Sequence, residues 1–565
     1  MSPFRPRSLE LLHGYSREKL VGDLMGGVTV GLIALPLSLA LGVASIPHGA
    51  LTPFPAPAVG IFTAIIAGFI VSALGGSRVQ IAGPTAAFMP IVLLIVERYG
   101  YDGLLLATMM AGAMQVAMGL VRMGAVIKYI PYPVTSGFTT GIAVSIMVSQ
   151  LPDFLGIKSG TPAPREFLER IPWLVRHLPD MNPLAAATGV ASALLIYFWP
   201  RFGWRRFPGI MVATIGASAA VALLGWTRSH GVATVGTLFG ADAIPSRLPP
   251  LALPLVSIDR IRVLVAPAVT IALLGSIESL LSAVVSDGLI NDRHDANTEL
   301  VAQGAANIVC PFFCGLPATG AIARTSANVR SGGTTPVAGM VHAASLLLIV
   351  LVFSHYGQFV PMAAIAAVLV MIALRMGEWH ELARLRQMPA GDALVLASTM
   401  LLTVVFDLVK AVEVGMVLAA ILFIRRVAET TEVARVTASD ELETHEQVAQ
   451  GKDIPEGVIV YRIFGPFLFG AAEKMEDALE RVGTLPRVLI LRMQLVPAMD
   501  VTALNALESI CERLQAAGGV LVLSGPHRQP LAMMAQAGFI EKIGQANIRA
   551  HFDDALARAR EVLAG

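Results

Sequence analysis

Apolar residues gather into about fourteen segments between residues 24 and 424, separated by short polar or glycine- and proline-rich stretches. The segments, with edges set by hydropathy, are 24–46, 58–74, 84–96, 104–121, 132–151, 184–200, 207–225, 261–286, 298–313, 320–329, 337–354, 359–374, 391–408 and 411–424. A helix needs about 20 apolar residues to cross the hydrocarbon core of a bilayer, and most of these segments approach that length. The pattern therefore predicts an α-helical polytopic membrane protein.

Two of the segments, 84–96 and 320–329, are too short to span a bilayer, and each follows a break rich in glycine and proline. The first break reads GGSRVQIAGP and the second reads CGLPATG. Each short segment is the third member of a group of seven. This recurrence predicts a 7+7 inverted repeat in which the two short helices meet head to head near the middle of the membrane.

The composition changes after Arg426, where a polar, charged stretch is followed by a different pattern. Short β-branched runs (GVIVYRIFG, RVLILRM, GGVLVLSG) alternate with stretches of helical spacing, which predicts one small α/β domain. The resulting division has four parts. It consists of a cytoplasmic N-terminal segment (1–23), a transmembrane domain (24–428), a linker (429–456) and a C-terminal α/β domain (457–565).

Composition narrows the class of protein further. Of the 565 residues, 55% are hydrophobic and 14% are charged, whereas soluble proteins carry about 25% charged residues. The net charge of +1 argues against nucleic-acid binding. Cys310 and Cys314 have no neighbouring ligands to complete a zinc site, and no phosphate loop or dinucleotide fingerprint is present. We therefore expect no metal, no cofactor and no enzymatic activity.

The distribution of basic residues predicts the orientation in the membrane. With the N-terminus in the cytoplasm, residues such as Arg17, Arg122 and Arg425 fall at cytoplasmic ends of segments. The long stretches 152–182 and 226–259 fall on the opposite side, where acidic residues largely offset the basic ones. This is the positive-inside pattern, and an even number of spans returns the C-terminus to the cytoplasm.

The stretch from 275 to 333 carries the chemistry. Glu278 lies inside an apolar run from Val263 to Val285, where a carboxylate is costly and marks a substrate or proton site by default. Arg324 lies one turn into the helix after the second break, beside the free N–H groups of its first turn. Together these features predict the midplane site of a transporter. Two alternatives remain: a surface loop–helix pair with both charges solvated, and a structural ion pair between Glu278 and Arg324.

Polar residues in the segment after Glu278 have a different interpretation. Asn297, Glu299, Gln303 and Asn307 recur at helical spacing. Polar side chains in membrane helices commonly form hydrogen bonds with neighbouring helices. We expect a structural role for these four.

Long motifs resemble one known family. The strings VGLIALPLSLALGVAS, GGSRVQIAGPTAAF, YIPYPVTSGFTTGI, GSIESLLSAVVSDG, NTELVAQGAANIV and GAIARTSANVRSGG are similar to those of SulP or solute carrier 26 anion transporters with a C-terminal STAS domain. The resemblance covers nearly the whole chain. Within the family, GPTAAF, SIESLL and AIAR resemble most the bacterial C4-dicarboxylate transporters.

The resemblance implies a core domain and a gate domain that move in an elevator-like step, with the anion between the N-termini of the third and tenth helices. The substrate-binding residues it implies are Thr85, Ala86, Gly320, Ala321, Ile322, Ala323 and Arg324. The coupling residues it implies are Glu278 and Ser282. Ile322 stands where a sodium-coupled relative has threonine, which favours protons over sodium. Leu37 and Leu41 stand where many sulfate-type members have glutamine and tyrosine, which favours dicarboxylates.

These inferences lead to one leading hypothesis. The chain is expected to be a proton-coupled transporter of C4-dicarboxylates (succinate, fumarate or aspartate) in the bacterial inner membrane, and a homodimer as family members usually are. A bicarbonate or sulfate transporter, coupled to sodium or protons, is the first alternative. An anion channel, or a membrane sensor that signals through the STAS domain, is the second.

The resemblance also aligns VPAMDVTALNAL with a STAS loop that bears a phosphorylatable serine in anti-anti-sigma relatives. Val501 stands at the serine position, followed by Thr502. The alternative is that this loop only starts a helix, with Asp500 or Thr502 as its N-cap.

Overall fold

The fold was analysed in a computed structural model of the 565-residue chain. The residues that the structure describes are 4–11, 14–47, 49–125, 131–159, 163–164, 166–202, 207–247, 251, 256–406, 408–435, 454–468, 474–475, 478–479 and 485–564. The chain divides into two compact units, Met1–Met416 and Val417–Gly565.

The first seven predicted segments fall on six long helices and one 3₁₀ turn. The helices are α1 (Arg17–Ser45), α2 (Ala56–Leu74), α3 (Met89–Leu120), α4 (Tyr132–Leu155), α6 (Pro183–Phe198) and α7 (Gly209–Leu223), and the 3₁₀ turn Ala86–Phe88 leads into α3. A further helix, α5 (Phe167–His177), lies between α4 and α6. The short strand β1 (Ala82–Gly83) precedes the 3₁₀ turn.

The next seven predicted segments fall on seven helices. These are α8 (Ile258–Ile290), α9 (Ala296–Val309), α10 (Ile322–Arg330), α11 (Pro336–Phe353), α12 (Met362–Met376), α13 (Ala390–Val405) and α14 (Leu408–Thr430). The short strand β2 (Thr319–Gly320) precedes α10. Helical turns at Arg7–Leu11, Trp226–Ser229, Val235–Phe239 and Trp379–Ala383 complete this part of the chain.

Several of these helices can cross a bilayer. Among the described residues, seven helical stretches are long and apolar enough, namely Arg17–Ser45, Ala56–Leu74, Ala86–Leu120, Tyr132–Leu155, Pro183–Arg201, Ile258–Ile290 and Pro336–Phe359. Helices α7, α12 and α13 are shorter apolar helices. The prediction of a polytopic helical membrane protein is confirmed.

Gly100 separates two helical halves of α3, which correspond to the predicted segments 84–96 and 104–121. Its φ of 73° and ψ of 176° are not helical, so the chain kinks there and the two halves follow one another without a loop. Glycine adopts a positive φ at little cost because it has no Cβ. The two apolar runs that YGYDG separates in the sequence are therefore two helices that meet at a kink.

Helix packing follows the predicted inverted repeat. The contact between spans one and eleven (α1 with α11) has its counterpart between spans eight and four (α8 with the second half of α3). The contact of α4 with α13 has its counterpart in that of α12 with α6. In two further contacts, α2 with α9 and α4 with α12, the two helices are equivalent members of the two repeats, so each contact is its own counterpart. This equivalence is what a 7+7 repeat requires.

The helices separate into a core group and a gate group. In the core group, α1, α2, α3 and α8 to α11 pack on one another, and close glycine contacts hold them together. A Cβ built on Gly112 of α3 would lie 2.6 Å from the Gly304 oxygen of α9, so neither position tolerates a side chain. In the gate group, α4, α6, α7, α12 and α13 pack on one another.

The second unit contains a five-stranded sheet in the order β3–β4–β5–β6–β7. Its strands are β3 (Glu432–Arg435), β4 (Val458–Phe464), β5 (Val488–Leu495), β6 (Val520–Ser524) and β7 (Ile548–Arg549). Strands β4 to β7 pair in parallel and β3 pairs antiparallel with β4.

Helices cover both faces of this sheet. They are α15 (Val501–Ala516), α16 (Arg528–Gln536), α17 (Phe539–Ile543) and α18 (Phe552–Ala564). Residues of α18 pack against one face, and residues of α15 to α17 pack against the other. The predicted α/β domain is confirmed.

Two details of the second unit bear on the sequence analysis. Strand β3 lies within the predicted linker 429–456, because four residues suffice for an edge strand and leave too short a pattern to detect in the sequence. The remainder of that linker, 436–453, lies outside the described residues. The Asp500 side chain accepts from the Ala503 N–H at 2.8 Å, so Asp500 is the N-cap of α15.

Candidate anion site

The two breaks in the helical pattern meet at a small antiparallel ladder. Strands β1 and β2 pair Ala82 with Gly320 and Gly83 with Thr319. The Ala321 N–H extends the ladder by donating to the Ile81 oxygen at 2.8 Å. The 3₁₀ turn that leads into α3 and the first turn of α10 therefore begin beside one another, as the head-to-head prediction required.

Both helical starts keep their first N–H groups free of side-chain caps. Thr85 stands at the N-cap of the 3₁₀ turn and Ala321 at that of α10, and neither side chain accepts a hydrogen bond from its own helix. Helix N-termini without caps offer donors and a partial positive charge to an anion. The ladder thus brings two helical starts without side-chain caps to one place.

A buried polar network holds the first break in position. Gln80 Nε2 donates to the Ser279 oxygen and hydroxyl of α8 at 3.1 and 2.8 Å. The Ile81 N–H donates to the Thr325 hydroxyl of α10 at 3.0 Å, and the Asn328 amide donates to the Val79 oxygen at 2.9 Å. These bonds replace the helical hydrogen bonds that residues 79–81 cannot make.

A matching set of bonds holds the second break. The Ala318 oxygen accepts from Gln303 at 2.7 Å and from Asn307 at 3.1 Å, and the Ala318 N–H donates to the Asn307 side chain at 2.8 Å. Glu299, also on α9, supports the first break instead, because its side chain accepts from the Gly76 and Ser77 N–H groups at 2.9 and 3.0 Å. The structural role expected for these polar residues of α9 agrees with these bonds.

Arg324 is buried beside the ladder rather than exposed to the open side of the site. Its side chain is only 1% exposed, and Nη2 donates to the Pro84 oxygen at 2.6 Å. Among the described residues no carboxylate oxygen lies within 4.0 Å of the guanidinium. The alternative of an ion pair with Glu278 therefore does not apply. The positive charge is held between the two breaks without a counter-charge.

Glu278 pairs with a hydroxyl instead. The Thr85 hydroxyl donates to Glu278 Oε2 at 3.0 Å, and both side chains are partly exposed. Ser282, the other predicted coupling residue, donates to the Thr325 hydroxyl at 3.2 Å and has no hydrogen bond with Glu278 in the described part of the chain. The structure thus brings Thr85 and Glu278 together and directs Ser282 into the supporting network.

The remaining predicted residues differ in exposure. Ile322 is 43% exposed and Ala323 is also exposed, so the first turn of α10 is open. Gly320, Ala321 and Ala86 are buried. None of the three has a polar side chain, and the Ala321 N–H is already bonded to the Ile81 oxygen.

The site lies where the core group meets the gate group. The 3₁₀ turn Ala86–Phe88 contacts both α4 and α12 of the gate group. All other elements of the site belong to the core group. A ligand bound there would be covered or uncovered by movement of one group against the other.

Sequence reasoning missed several residues of this region. Gln80, Thr325 and Asn328 support the breaks, and the sequence marks them only as polar positions near glycines. His342 of α11 is fully buried near Arg324, and its one signal is that it interrupts the apolar run PVAGMVHAASLLLIVLVF. In the described part of the chain, no three His, Cys, Asp or Glu side chains are grouped so that they could hold a metal ion.

Comparison with known proteins identifies the family. The sequence model described as the Sulfate permease family matches residues 20–399, and the one described as the STAS domain matches residues 451–555. A putative sulfate transporter, YvdB of Bacillus subtilis, is 38% identical over 542 residues, covering 96% of this chain and 98% of the relative. A bicarbonate transporter, BicA of Synechocystis, is 30% identical over 522 residues, covering 90% of this chain and 88% of the relative.

Solved structures agree with the fold. The transmembrane domain of a cyanobacterial bicarbonate transporter BicA superposes with a TM-score of 0.61 at 30% identity, covering 70% of this chain and 98% of that domain. Murine solute carrier 26 member A9 superposes with a TM-score of 0.85 at 18% identity, covering 99% of this chain and 94% of that one, which shows the fold alone. The chain therefore belongs to the sulfate permease family and is a multi-pass anion transporter of that family with a C-terminal STAS domain.

Proposed function

We propose that the chain is a proton-coupled secondary transporter of a small anion, bound where the 3₁₀ turn Ala86–Phe88 and helix α10 begin. The observation that carries this proposal is Arg324, a buried cation with no carboxylate within 4.0 Å in the described parts of the chain, placed beside two uncapped helical starts. A charge buried in a membrane core is costly unless something compensates it. The transported anion would supply that compensation.

An elevator-like step fits the packing of the helices. The core group carries both breaks and is tied together by the buried network and by close glycine contacts. The gate group meets it chiefly along α1, α4 and α12. A core that is rigid within itself can move as one body, so that the anion site opens to one side of the membrane and then to the other.

Glu278 is proposed as the proton-coupling residue. Glu278 is partly exposed, so it can exchange a proton with solvent, and its ionised form would repel an anion at the start of α10. A proton on Glu278 removes this repulsion, so that proton and anion favour each other's binding by the same factor. The hydrogen bond from Thr85 links the carboxylate directly to the helical start that would hold the anion.

Sodium is a weaker candidate for the coupling ion. A sodium site needs several oxygen ligands, and the hydroxyl of Thr85 is the one oxygen donor that reaches Glu278 by a hydrogen bond among the described residues. Ser282 is bonded to Thr325, and Ile322 contributes no side-chain oxygen. This set is too small to replace the hydration of a cation.

For the substrate we propose an oxyanion, with bicarbonate and sulfate ahead of C4-dicarboxylates. The relatives that are 38% and 30% identical are named as a putative sulfate transporter and a bicarbonate transporter. The open turn at Ile322 and Ala323 offers backbone donors and apolar side chains, which suits a compact anion. Dicarboxylates stay in the test panel because of the strings SIESLL and AIAR and because of Leu37 and Leu41.

Location and assembly are part of the proposal. We propose the bacterial inner membrane, with both termini in the cytoplasm, on the strength of the basic residues at one set of helix ends. We also propose a homodimer. Mass photometry of the purified protein in nanodiscs should report the mass of two protomers. The mass of one protomer would contradict the proposed homodimer.

Uptake into proteoliposomes tests the function. Radiolabelled bicarbonate, sulfate and succinate would each be offered with and without an inward proton gradient. We expect saturable accumulation of at least one of them that rises with the gradient. Flux that follows the anion gradient and never concentrates the anion would indicate a channel, and no flux of any anion would favour a sensor.

A further inference from the structure

His342 of helix α11 is a buried side chain that lacks a hydrogen-bond partner. The residue is 0% exposed, and neither Nδ1 nor Nε2 bonds to a described residue. Buried polar groups are nearly always hydrogen-bonded, because leaving one unpaired forfeits its hydration. An imidazole between apolar helices therefore requires a specific reason.

Arg324 has the complementary deficiency. Nη2 donates to the Pro84 oxygen, but Nε and Nη1 are buried and have no acceptor among the residues that the structure describes. A guanidinium presents five N–H donors, cannot accept, and stays protonated in proteins. Two of its nitrogens are therefore buried hydrogen-bond donors that are not satisfied by any described residue.

The two side chains both lie close to the surroundings of strand β1. A Cβ built on Gly68 would lie 3.6 Å from His342 Nε2 and 3.3 Å from the Ala82 oxygen. A Cβ built on Gly83 would lie 2.6 Å from Arg324 Nη1. His342 Nε2 and the Ala82 oxygen thus lie within 4 Å of one point beside Gly68, and the guanidinium lies against Gly83, the residue that follows Ala82.

Each group offers what the other lacks. A neutral imidazole always has one nitrogen that accepts a hydrogen bond, and the guanidinium has only donors. We propose that His342 is a positioning residue for Arg324, which it holds through an acceptor nitrogen, either after a small side-chain rotation or across one water molecule. The inference rests on the proposed anion site, because it assigns His342 no contact with the anion.

This arrangement explains the use of histidine at this position. With Pro84 on one side and His342 on the other, the guanidinium is fixed by two neutral acceptors. An aspartate or glutamate at position 342 would fix it equally well but would cancel its charge. Histidine positions the cation and leaves the whole charge available to the anion.

Binding titrations on purified protein test this inference, with sulfate, bicarbonate and succinate as probes. His342→Leu removes the acceptor, whereas His342→Asn keeps one. Leu346→Ala, a fully buried position one turn further along α11, is the matched packing control. Each variant would be made in the native chain and in an Arg324→Ala background.

We expect His342→Leu to weaken anion affinity by about threefold to tenfold, the contribution of one ordinary hydrogen bond, because Arg324 keeps both its charge and its bond to Pro84. His342→Asn should recover most of this loss. Leu346→Ala should lower thermal stability without changing affinity. In the Arg324→Ala background, His342→Leu should have no further effect on affinity, because there is no guanidinium left to position.

Two results would overturn the inference: native affinity in His342→Leu, or the same fold-loss with and without Arg324. If His342→Leu aggregates, His342→Phe keeps a ring and removes both nitrogens, so the same comparison can be made. Failure of the proposed anion site would look different, because Arg324→Ala alone would then bind every probe as tightly as the native chain.

Discussion

Replacement of Arg324 by alanine is the perturbation that bears most directly on anion binding. The guanidinium is 1% exposed and has no carboxylate within 4.0 Å among the described residues, so its charge acts outward on the start of α10. At a separation of about 6 Å and an effective dielectric constant of about 20, Coulomb's law gives about 3 kcal/mol. Such a loss corresponds to about a hundredfold in affinity.

Part of this effect will be offset, because the unpaired Pro84 oxygen and the vacated space can admit water. We therefore expect Arg324→Ala to weaken anion binding by about tenfold to a hundredfold. Arg324→Lys keeps the charge but loses the planar fork that reaches Pro84, so its loss should be smaller. Arg330→Ala, at the exposed C-terminal end of the same helix, should bind normally.

The assay is a titration of purified, monodisperse protein with bicarbonate, sulfate and succinate, followed by intrinsic fluorescence or calorimetry. Size-exclusion profiles and melting temperatures must match those of Arg330→Ala, so that misfolding is not mistaken for lost binding. Unchanged affinity of Arg324→Ala for every anion that the native chain binds would refute the electrostatic reasoning.

Three further predictions concern other parts of the chain. Asp23 is fully buried and accepts from the N–H groups of Thr334 and Thr335. Asp23→Ala should therefore lower the free energy of unfolding by about 2–4 kcal/mol, as measured by thermal unfolding. Asp23→Asn should lower it by less. Gly83 has a φ of 153° and its Cβ would lie 2.6 Å from Arg324 Nη1, so Gly83→Ala should lower anion affinity in the same titration. Removal of residues 430–565 should leave measurable uptake per inserted protein, because the residues proposed for the site all lie within Met1–Met416. Complete loss of uptake in well-folded protein would contradict this.

The sequence was most informative where glycine and proline limit the backbone conformation. Glycine and proline weaken or interrupt a helix, so GGSRVQIAGP and CGLPATG predicted both breaks and the meeting of the two short helices, although not the ladder of β1 and β2 between them. Each break precedes the third segment of a group of seven, and this recurrence predicted the repeat. Helix α5 was missed because it is amphipathic and short, and the search was for continuous apolar runs.

Side-chain direction was harder to predict than backbone position. Arg324 was expected at the anion site, and its backbone is there, but its side chain turns inward to Pro84 because that oxygen has no helical partner. Ser282 was expected beside Glu278, one turn away, but Thr325 on α10 offers a closer hydroxyl. His342 could not be assigned from the sequence, since its neighbours Gly68 and Ala82 lie about 270 and 260 residues away along the chain.

The central claim is that Glu278 couples anion movement to protons, and Glu278→Gln tests it most directly. Glutamine mimics the protonated carboxylate and can still accept from Thr85, so the anion site should survive. Proton-driven accumulation and counterflow exchange would be measured in the same proteoliposomes, with Thr85→Val as a companion variant that removes the hydrogen bond but leaves the carboxylate. The account predicts that Glu278→Gln exchanges anion at a rate near that of the native chain but no longer concentrates it under an inward proton gradient. Accumulation by Glu278→Gln with native pH dependence would contradict the account and move the coupling to another residue.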